Sequence, residues 1–152
     1  MKLFSVVVYV VLQVLCLPLL IVGVVLASYR QLVVSKRLGL SQTAIEVIQA
    51  RWTMDRFGIR SDPDTVRLTN VLPNASPVGL WLVFFPLWVK YKICGDLFLY
   101  PTVPAIGYEG LANFFIARTL YIDRLIGSTV SRVEQVVLLG AGYDMRCYGE
   151  LK

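Results

Sequence analysis

Apolar side chains run almost without interruption through the first part of the chain. Residues 3–27 are mostly Val, Leu and Ile, and none of them is charged. About 20 such residues suffice to cross the hydrocarbon core of a bilayer as a helix. This stretch is therefore predicted to be a transmembrane helix. The alternative is a cleaved signal peptide, with residues 25–27 as its small-residue cleavage site.

The charges that flank this stretch predict its orientation. Lys2 is the only cationic side chain before it, whereas Arg30, Lys36 and Arg37 follow it. Cytoplasmic flanks of membrane helices carry an excess of Lys and Arg. The sequence therefore predicts a single-pass anchor over residues 1–30, with residues 31–152 on the cytoplasmic side.

Helical periodicity follows the anchor. A stripe of apolar residues at spacings of three and four predicts a helix over residues 41–57, which begins after Ser41 and ends at Gly58. The stripe consists of Ile45, Ile48 and Trp52. Residues 60–77 are rich in Asp, Pro and Asn, and they are predicted to form a loop.

A second strongly apolar stretch, residues 78–91, contains Pro86 and is too short for a clear second span. It is predicted to form a helix over residues 78–98. Its aromatic and basic side chains are typical of a segment at the membrane interface, and a buried core helix is the alternative. These side chains are Trp81, Trp88, Lys90, Tyr91 and Lys92.

A third helix is predicted over residues 106–126, with an apolar stripe that also contains Arg118. The apolar members of the stripe are Leu111, Phe115, Ile122 and Leu125. A guanidinium on a buried face needs an anion, because it cannot lose its charge. The anion is either an internal carboxylate or the carboxylate of a ligand held by a bidentate fork. The internal candidates are Glu109, Asp123 and Asp144.

Residues 135–139 are predicted to be a short buried strand that runs into Gly140, Ala141 and Gly142. Glycines without a Cβ allow the backbone to turn sharply and to approach a ligand closely, although a plain tight turn has the same pattern. A dinucleotide fingerprint would require a third glycine where Met145 stands. A nicotinamide cofactor is therefore disfavoured.

Composition narrows the class of protein. The chain of 152 residues is long enough for one domain, and its 57% hydrophobic content and mean hydropathy of +0.66 indicate a link to a membrane. Its net charge of +5 is spread along the chain, which favours an anionic lipid surface and disfavours nucleic acid. Three widely spaced cysteines and no histidine indicate neither a disulfide framework nor a metal site, and they exclude Ser-His and Cys-His catalytic pairs.

The stretch VVLLGAGYDMRCY resembles the first glycine motif of S-adenosylmethionine-dependent methyltransferases of the leucine carboxyl methyltransferase type. The matching residues are Gly140, Ala141, Gly142, Asp144 and Arg146. The segment NFFIARTLYID, residues 113–123, resembles the helix that precedes this motif in the family. Weaker resemblances are found at SQTA with Ala50-Arg51, and at Asp62-Pro63.

This resemblance implies an α/β Rossmann-like class I methyltransferase fold, of which the chain holds the N-terminal part. The chain is then a truncated version of that fold, mostly α-helical, with an N-terminal transmembrane helix and one core strand. It ends just after the glycine motif, so we expect weak cofactor binding or none. The alternatives are a small non-enzymatic membrane protein and an inactive degenerate copy.

The resemblance also implies a cofactor, S-adenosylmethionine, and a methyl acceptor that is a carboxylate of a small molecule or of a protein. Arg118 would clamp the methionyl carboxylate, and residues 140–142 would pass beneath the cofactor. Asp144 would hydrogen-bond the cofactor or orient the loop, with Arg146 as its ion-pair neighbour. No catalytic residue and no metal are implied.

Overall fold

A computed structural model describes residues 2–96, 101–105, 107 and 111–146. All regular secondary structure in these residues is helical. A π-helical turn at Tyr29–Val34 joins α2 to α3, and a 3₁₀ turn at Val130–Arg132 follows α7. The helices are α1 (Lys2–Leu15), α2 (Leu17–Ser28), α3 (Ser35–Leu38), α4 (Gln42–Arg56), α5 (Pro63–Val71), α6 (Pro77–Cys94) and α7 (Leu111–Thr129).

The predicted strand is wrong, and with it the Rossmann-like α/β fold. Residues 135–138 adopt no regular structure, and the described residues contain no strand and no sheet. Val137 and Leu139 are 64% and 92% exposed. A strand draws its backbone hydrogen bonds from a neighbouring strand, and no described segment supplies one. The apolar run is therefore left irregular at the surface.

The described chain divides into two compact units. The first contains the described residues of Met1–Gln42 and Thr69–Pro101, and the second contains those of Thr43–Leu68 and Thr102–Lys152. The first unit is built from α1, α2 and α6, and α6 packs against both of the other helices.

Two helical stretches of the described chain are long and apolar enough to cross a membrane. They are the 22-residue run Leu17–Leu38 and the 18-residue helix Pro77–Cys94. Signal sequences and core helices of soluble proteins share this length and composition. Only 6% of the most apolar 18-residue part of the first run is buried, so the apolar side chains of this run face outward.

Glycines set the distance between α2 and α6. A Cβ on Gly79 would lie 2.8 Å from the carbonyl oxygen of Gly23, and a Cβ on Gly23 would lie 2.8 Å from the carbonyl oxygen of Gly79. Just after the C-terminal end of α2, Nη1 of Arg30 donates at 2.9 Å to the carbonyl oxygen of Ala75, which lies just before α6. These contacts pair later residues of α6 with earlier residues of α2, so the two helices run antiparallel.

The core of the second unit confirms the first amphipathic helix. Ile45, Ile48 and Trp52 of α4 are fully buried, as their spacing predicts. The predicted loop over residues 60–77 is wrong in part, because residues 63–71 form α5. Its start has a helix signature, since Pro63 fits the first helical position and Asp62 precedes it.

The predicted orientation of the third helix is wrong. Ile116 and Thr119 are the buried side chains of α7 in its described part, whereas Leu125 is 50% exposed. Arg118 is exposed rather than buried. Its guanidinium lies 5.7 Å from the ring centre of Phe114 and 5.4 Å from that of Phe115.

Candidate functional site

A tight turn after α4 places two charged residues of the site. Gly58 adopts a φ of 71°, which L-residues with a Cβ rarely adopt, and ends the helix. The N–H of Ile59 donates to the carbonyl oxygen of Met54 at 2.8 Å. The turn reverses the chain, and it brings Arg60 and Asp62 back towards the buried side of α4.

Asp62 serves two purposes at the start of α5. Its Oδ1 accepts a hydrogen bond from the N–H of Thr65 at 3.2 Å, which is N-cap geometry. Its Oδ2 accepts from Nε of Arg51 at 2.8 Å and also from Nη1 of Arg60. The carboxylate therefore caps one helix and pairs with two guanidinium groups.

The glycine motif forms an open turn. Gly140 and Gly142 have φ values of 64° and 56°, so both lie in the left-handed region that favours glycine. A Cβ on Gly140 would meet no atom within 4 Å, whereas one on Gly142 would lie 3.7 Å from Cβ of Ala44. The N–H of Asp144 closes the turn by donating to the carbonyl oxygen of Ala141 at 2.9 Å.

Six charged side chains of the second unit form a closed chain of ion pairs, which we call the Arg/Asp ring. Arg51 pairs with Asp62 at 2.6 Å and with Asp144 at 2.8 Å. Asp123 pairs with Arg60 at 2.5 Å and with Arg146 at 2.7 Å. Two further ion pairs, Arg60 with Asp62 and Arg146 with Asp144, close the ring.

The ring is buried and electrically balanced. Its three guanidinium groups and three carboxylates alternate, so their formal charges sum to zero. The side chain of Arg51 is 3% exposed, and the most exposed member, Asp144, is 20% exposed. Nη2 of Arg146 also donates to the carbonyl oxygen of Thr119 at 3.3 Å. Each buried charge thus has partners of the opposite sign, which offsets the cost of removing it from water.

Acid is expected to weaken the ring at Asp144. Burial alone would raise the pKa of this carboxyl group, but hydrogen bonds from the N–H of Arg146 and the side chain of Arg51, together with their charges, hold it below the ordinary 3.8. A carboxyl group whose pKa is lowered by folding stabilises the fold fully when the pH is above its unfolded-state pKa. This stabilisation is lost as the pH falls through the lower pKa of the folded state.

We therefore expect thermal stability to decrease as the pH drops below about 4, and to decrease less steeply in an Asp144→Asn variant. The measurement is the melting temperature of both proteins in the same micelles, across that pH range. An equal decrease of the melting temperature at acid pH in the two proteins would contradict the assignment of this effect to Asp144.

The structure confirms one predicted contact and places the other predicted residues. Asp144 pairs with Arg146, as the sequence predicted. Gly140, Ala141 and Gly142 form the open turn in front of this pair. Arg118 has no ion pair within the described residues, so neither Asp123 nor Asp144 is its partner. Glu109 lies outside the described residues.

Sequence reasoning gave no role in the site to three ring members, Arg51, Arg60 and Asp62, and it named Asp123 only as a possible partner of Arg118. A signal for Arg51 was present, because it follows Ile48 by three positions and therefore borders the buried stripe of α4. The same criterion was applied to Arg118 of α7, but the buried face of α7 is not the one on which Arg118 lies. Asp62 had a signal in its N-cap position before Pro63.

Comparison with known families supports the resemblance over one third of the chain. Residues 101–150 match the family model described as leucine carboxyl methyltransferase. This range contains α7, the glycine turn and three members of the ring. Searches of curated proteins and of solved structures gave no match.

Proposed function

We propose that this chain is an S-adenosylmethionine-dependent methyltransferase, or part of one, and that its glycine turn forms part of the cofactor site. The observation that supports this most is the family match over residues 101–150, because it contains both Arg118 and the glycine turn. The proposed acceptor is a carboxylate of a small molecule or of a protein.

The glycine turn and Arg118 of α7 each have a feature that such a cofactor requires. The side of Gly140 on which a Cβ would stand is open, so a ligand can approach the backbone there. Arg118 is exposed and has no carboxylate partner in the part of the chain that the structure describes. Its guanidinium can therefore donate two parallel hydrogen bonds to the methionyl carboxylate. When bound, the cofactor supplies a methyl group already activated by the sulfonium.

The ring would hold the turn in place rather than touch the cofactor. Oδ1 of Asp144 accepts from Nη1 of Arg51 at 2.8 Å and from the N–H of Arg146 at 3.0 Å. Oδ2 of Asp144 pairs with Nη1 of Arg146. With both oxygens engaged, Asp144 fixes the backbone just after Gly142. A fixed backbone lowers the entropy cost of aligning a bound donor.

The N-terminal helices are proposed to attach the protein to a membrane as a single-pass anchor, with the following residues in the cytoplasm. Leu3, Val14 and Leu15 of α1 are 78%, 66% and 71% exposed, and α2 has a comparable surface. Such a continuous apolar surface is covered by lipid or by protein. The basic residues Arg30, Lys36 and Arg37 lie at its cytoplasmic end in this orientation.

Cofactor binding can be tested with the whole chain in lipid nanodiscs by ligand-detected NMR. We expect weak, saturable binding of S-adenosylmethionine, and an affinity about tenfold lower in an Arg118→Gln variant, since a charge-assisted hydrogen bond contributes about 1.5–3 kcal/mol. Arg124→Gln is the matched control, because Arg124 is an exposed arginine of the same helix.

A second probe isolates the carboxylate. Decarboxylated S-adenosylmethionine is expected to bind the Arg118→Gln variant and the parent chain equally well. The absence of saturable binding to the parent would contradict the proposed function. Equal losses in the Arg118 and Arg124 variants would contradict the role of Arg118.

A further inference from the structure

We infer that residues 30–37, which we call the basic segment, are a docking surface for the phosphate groups of anionic phospholipids. The inference rests on the proposed membrane attachment and goes beyond it, because it names a lipid class and the residues that select it. It concerns the first unit alone. The basic segment contains Arg30, Lys36 and Arg37, and all three side chains are exposed.

The first observation is the distribution of charge between the two units. The first unit has six cationic side chains and one carboxylate, Asp96, whereas the second unit has nine charges of each sign. The net charge of +5 therefore belongs wholly to the unit whose apolar helices are proposed to contact lipid. Each cation near the surface of an anionic membrane strengthens the attraction to it by about fivefold.

No internal carboxylate neutralises the basic segment in the part of the first unit that the structure describes. Oδ1 of Asp96 is occupied elsewhere, because it accepts from Nζ of the fully buried Lys90 at 2.7 Å. Asp96 follows α6, whereas Arg30 bonds to the carbonyl oxygen of Ala75, just before α6. The helix has 18 residues and is therefore about 27 Å long, more than twice the screening length of about 10 Å in 0.1 M salt.

The basic segment follows directly on an exposed apolar surface. Val25 of α2 is 59% exposed, and Leu32 and Leu38 are 52% and 53% exposed. Tyr29, which is 49% exposed, precedes the first cation. Tyrosine is typical of the boundary between hydrocarbon and headgroups. A phospholipid has the same order of chemistry, acyl chains and then a phosphate, so its chains can cover α2 while its phosphate reaches the cations.

The backbone of the basic segment is held in place before any lipid binds. The N–H of Ser35 donates to the carbonyl oxygen of Arg30 in a π-helical turn, and such turns are rare and frequent at functional sites. Ser35 is fully buried, and its Oγ accepts from Nδ2 of Asn74 at 2.9 Å. These bonds fix the chain between Arg30 and Lys36, which lowers the entropy lost when a headgroup binds.

The test uses the whole chain in phosphatidylcholine bilayers, with a tryptophan beside the basic segment as the reporter. Tyr29 is replaced by tryptophan, and Trp81 and Trp88 by phenylalanine, whereas Trp52 stays because it is 1% exposed. Quenching of the reporter is measured with increasing fractions of brominated phosphatidylserine, and with brominated phosphatidylcholine as the reference. We expect phosphatidylserine to bind beside the reporter about fivefold more tightly than phosphatidylcholine in 0.1 M salt.

Two charge variants of the reporter chain locate the origin of this preference. In Lys36→Gln/Arg37→Gln we expect the preference for phosphatidylserine to fall below about twofold, because Arg30 is then the only cation left in the segment. The matched control is Lys2→Gln/Lys92→Gln, which removes the same charge from the same unit outside the basic segment. We expect this control to keep the preference of about fivefold.

Equal quenching by the two brominated lipids, or equal losses of preference in the two charge variants, would overturn the inference and leave the membrane attachment intact. Displacement of brominated phosphatidylserine by millimolar inorganic phosphate would also overturn it, because the segment would then be a site for free phosphate. Absence of quenching by either lipid would contradict the proposed membrane attachment and this inference with it. Binding of S-adenosylmethionine is measured separately and is unaffected by these results.

Discussion

Replacing Arg51 by methionine is expected to lower the free energy of unfolding by about 3 kcal/mol. The methionine keeps much of the apolar stem but removes the charge. Asp62 and Asp144 then face a ring with one positive charge fewer, and both carboxylates lose a hydrogen-bond donor that lies within 3 Å. Removing one partner of a buried ion pair is costly because the other charge stays desolvated.

The measurement is denaturant unfolding in micelles followed by the fluorescence of Trp52, which is 1% exposed and lies next to Arg51 in α4. Trp81 and Trp88 are replaced by phenylalanine in parent and variant alike, so that the signal reports the second unit. The matched control is Arg67→Met. Arg67 is 81% exposed and lies 3.5 Å from Asp64, so its loss should change stability by less than about 0.5 kcal/mol.

The ring also predicts a rescue. An Arg51→Met/Asp144→Asn double variant has two charges of each sign, so it should be more stable than the sum of the two single losses implies. Equal losses in Arg51→Met and Arg67→Met, or strict additivity in the double variant, would show that the ring contributes no more than surface ion pairs.

The sequence predicted those elements whose evidence is local. The stripe of Ile45, Ile48 and Trp52 indicated α4, and Gly58 indicated its end, because both depend on residues within one or two turns of each other. A helix was likewise expected over residues 78–98 from a strongly apolar run, and α6 spans Pro77–Cys94. In each case the neighbours along the chain carry the information.

The elements that depend on distant partners could not be predicted in the same way. The run Val136–Leu139 has strand-like composition, but a strand forms only where another strand accepts its hydrogen bonds. The link between Arg51 and Asp144 joins residues 93 positions apart. No periodicity within either segment indicates that partner.

The case of Arg118 shows how a sound criterion can be applied to the wrong face of a helix. A cation within an apolar stripe does need an anion, but the stripe must first be assigned to the buried face. In α7 two overlapping stripes were available, and the one through Ile116 and Thr119 is buried. Asp123 continues that face four residues after Thr119, where it meets Arg60 and Arg146.

The glycine contact between α2 and α6 leads to the second large effect. Replacing Gly79 by valine is expected to force the two helices apart and to destabilise the first unit by about 1–3 kcal/mol. The added Cβ would lie 2.8 Å from the carbonyl oxygen of Gly23 and 3.0 Å from the backbone nitrogen of Ala27. Both are backbone atoms that cannot rotate away, so only a shift of a whole helix relieves the overlap.

Spin labels at Val22 and Val78, which are 50% and 64% exposed, report the distance between α2 and α6 by pulsed electron resonance. In the Gly79→Val variant we expect the mean distance to increase by a few ångströms, because small residues are what allow helix backbones to approach closely. Gly127→Val is the matched control, since a Cβ there meets nothing within 4 Å. An unchanged distance in the Gly79 variant would show that the glycine contact does not set the separation of the helices.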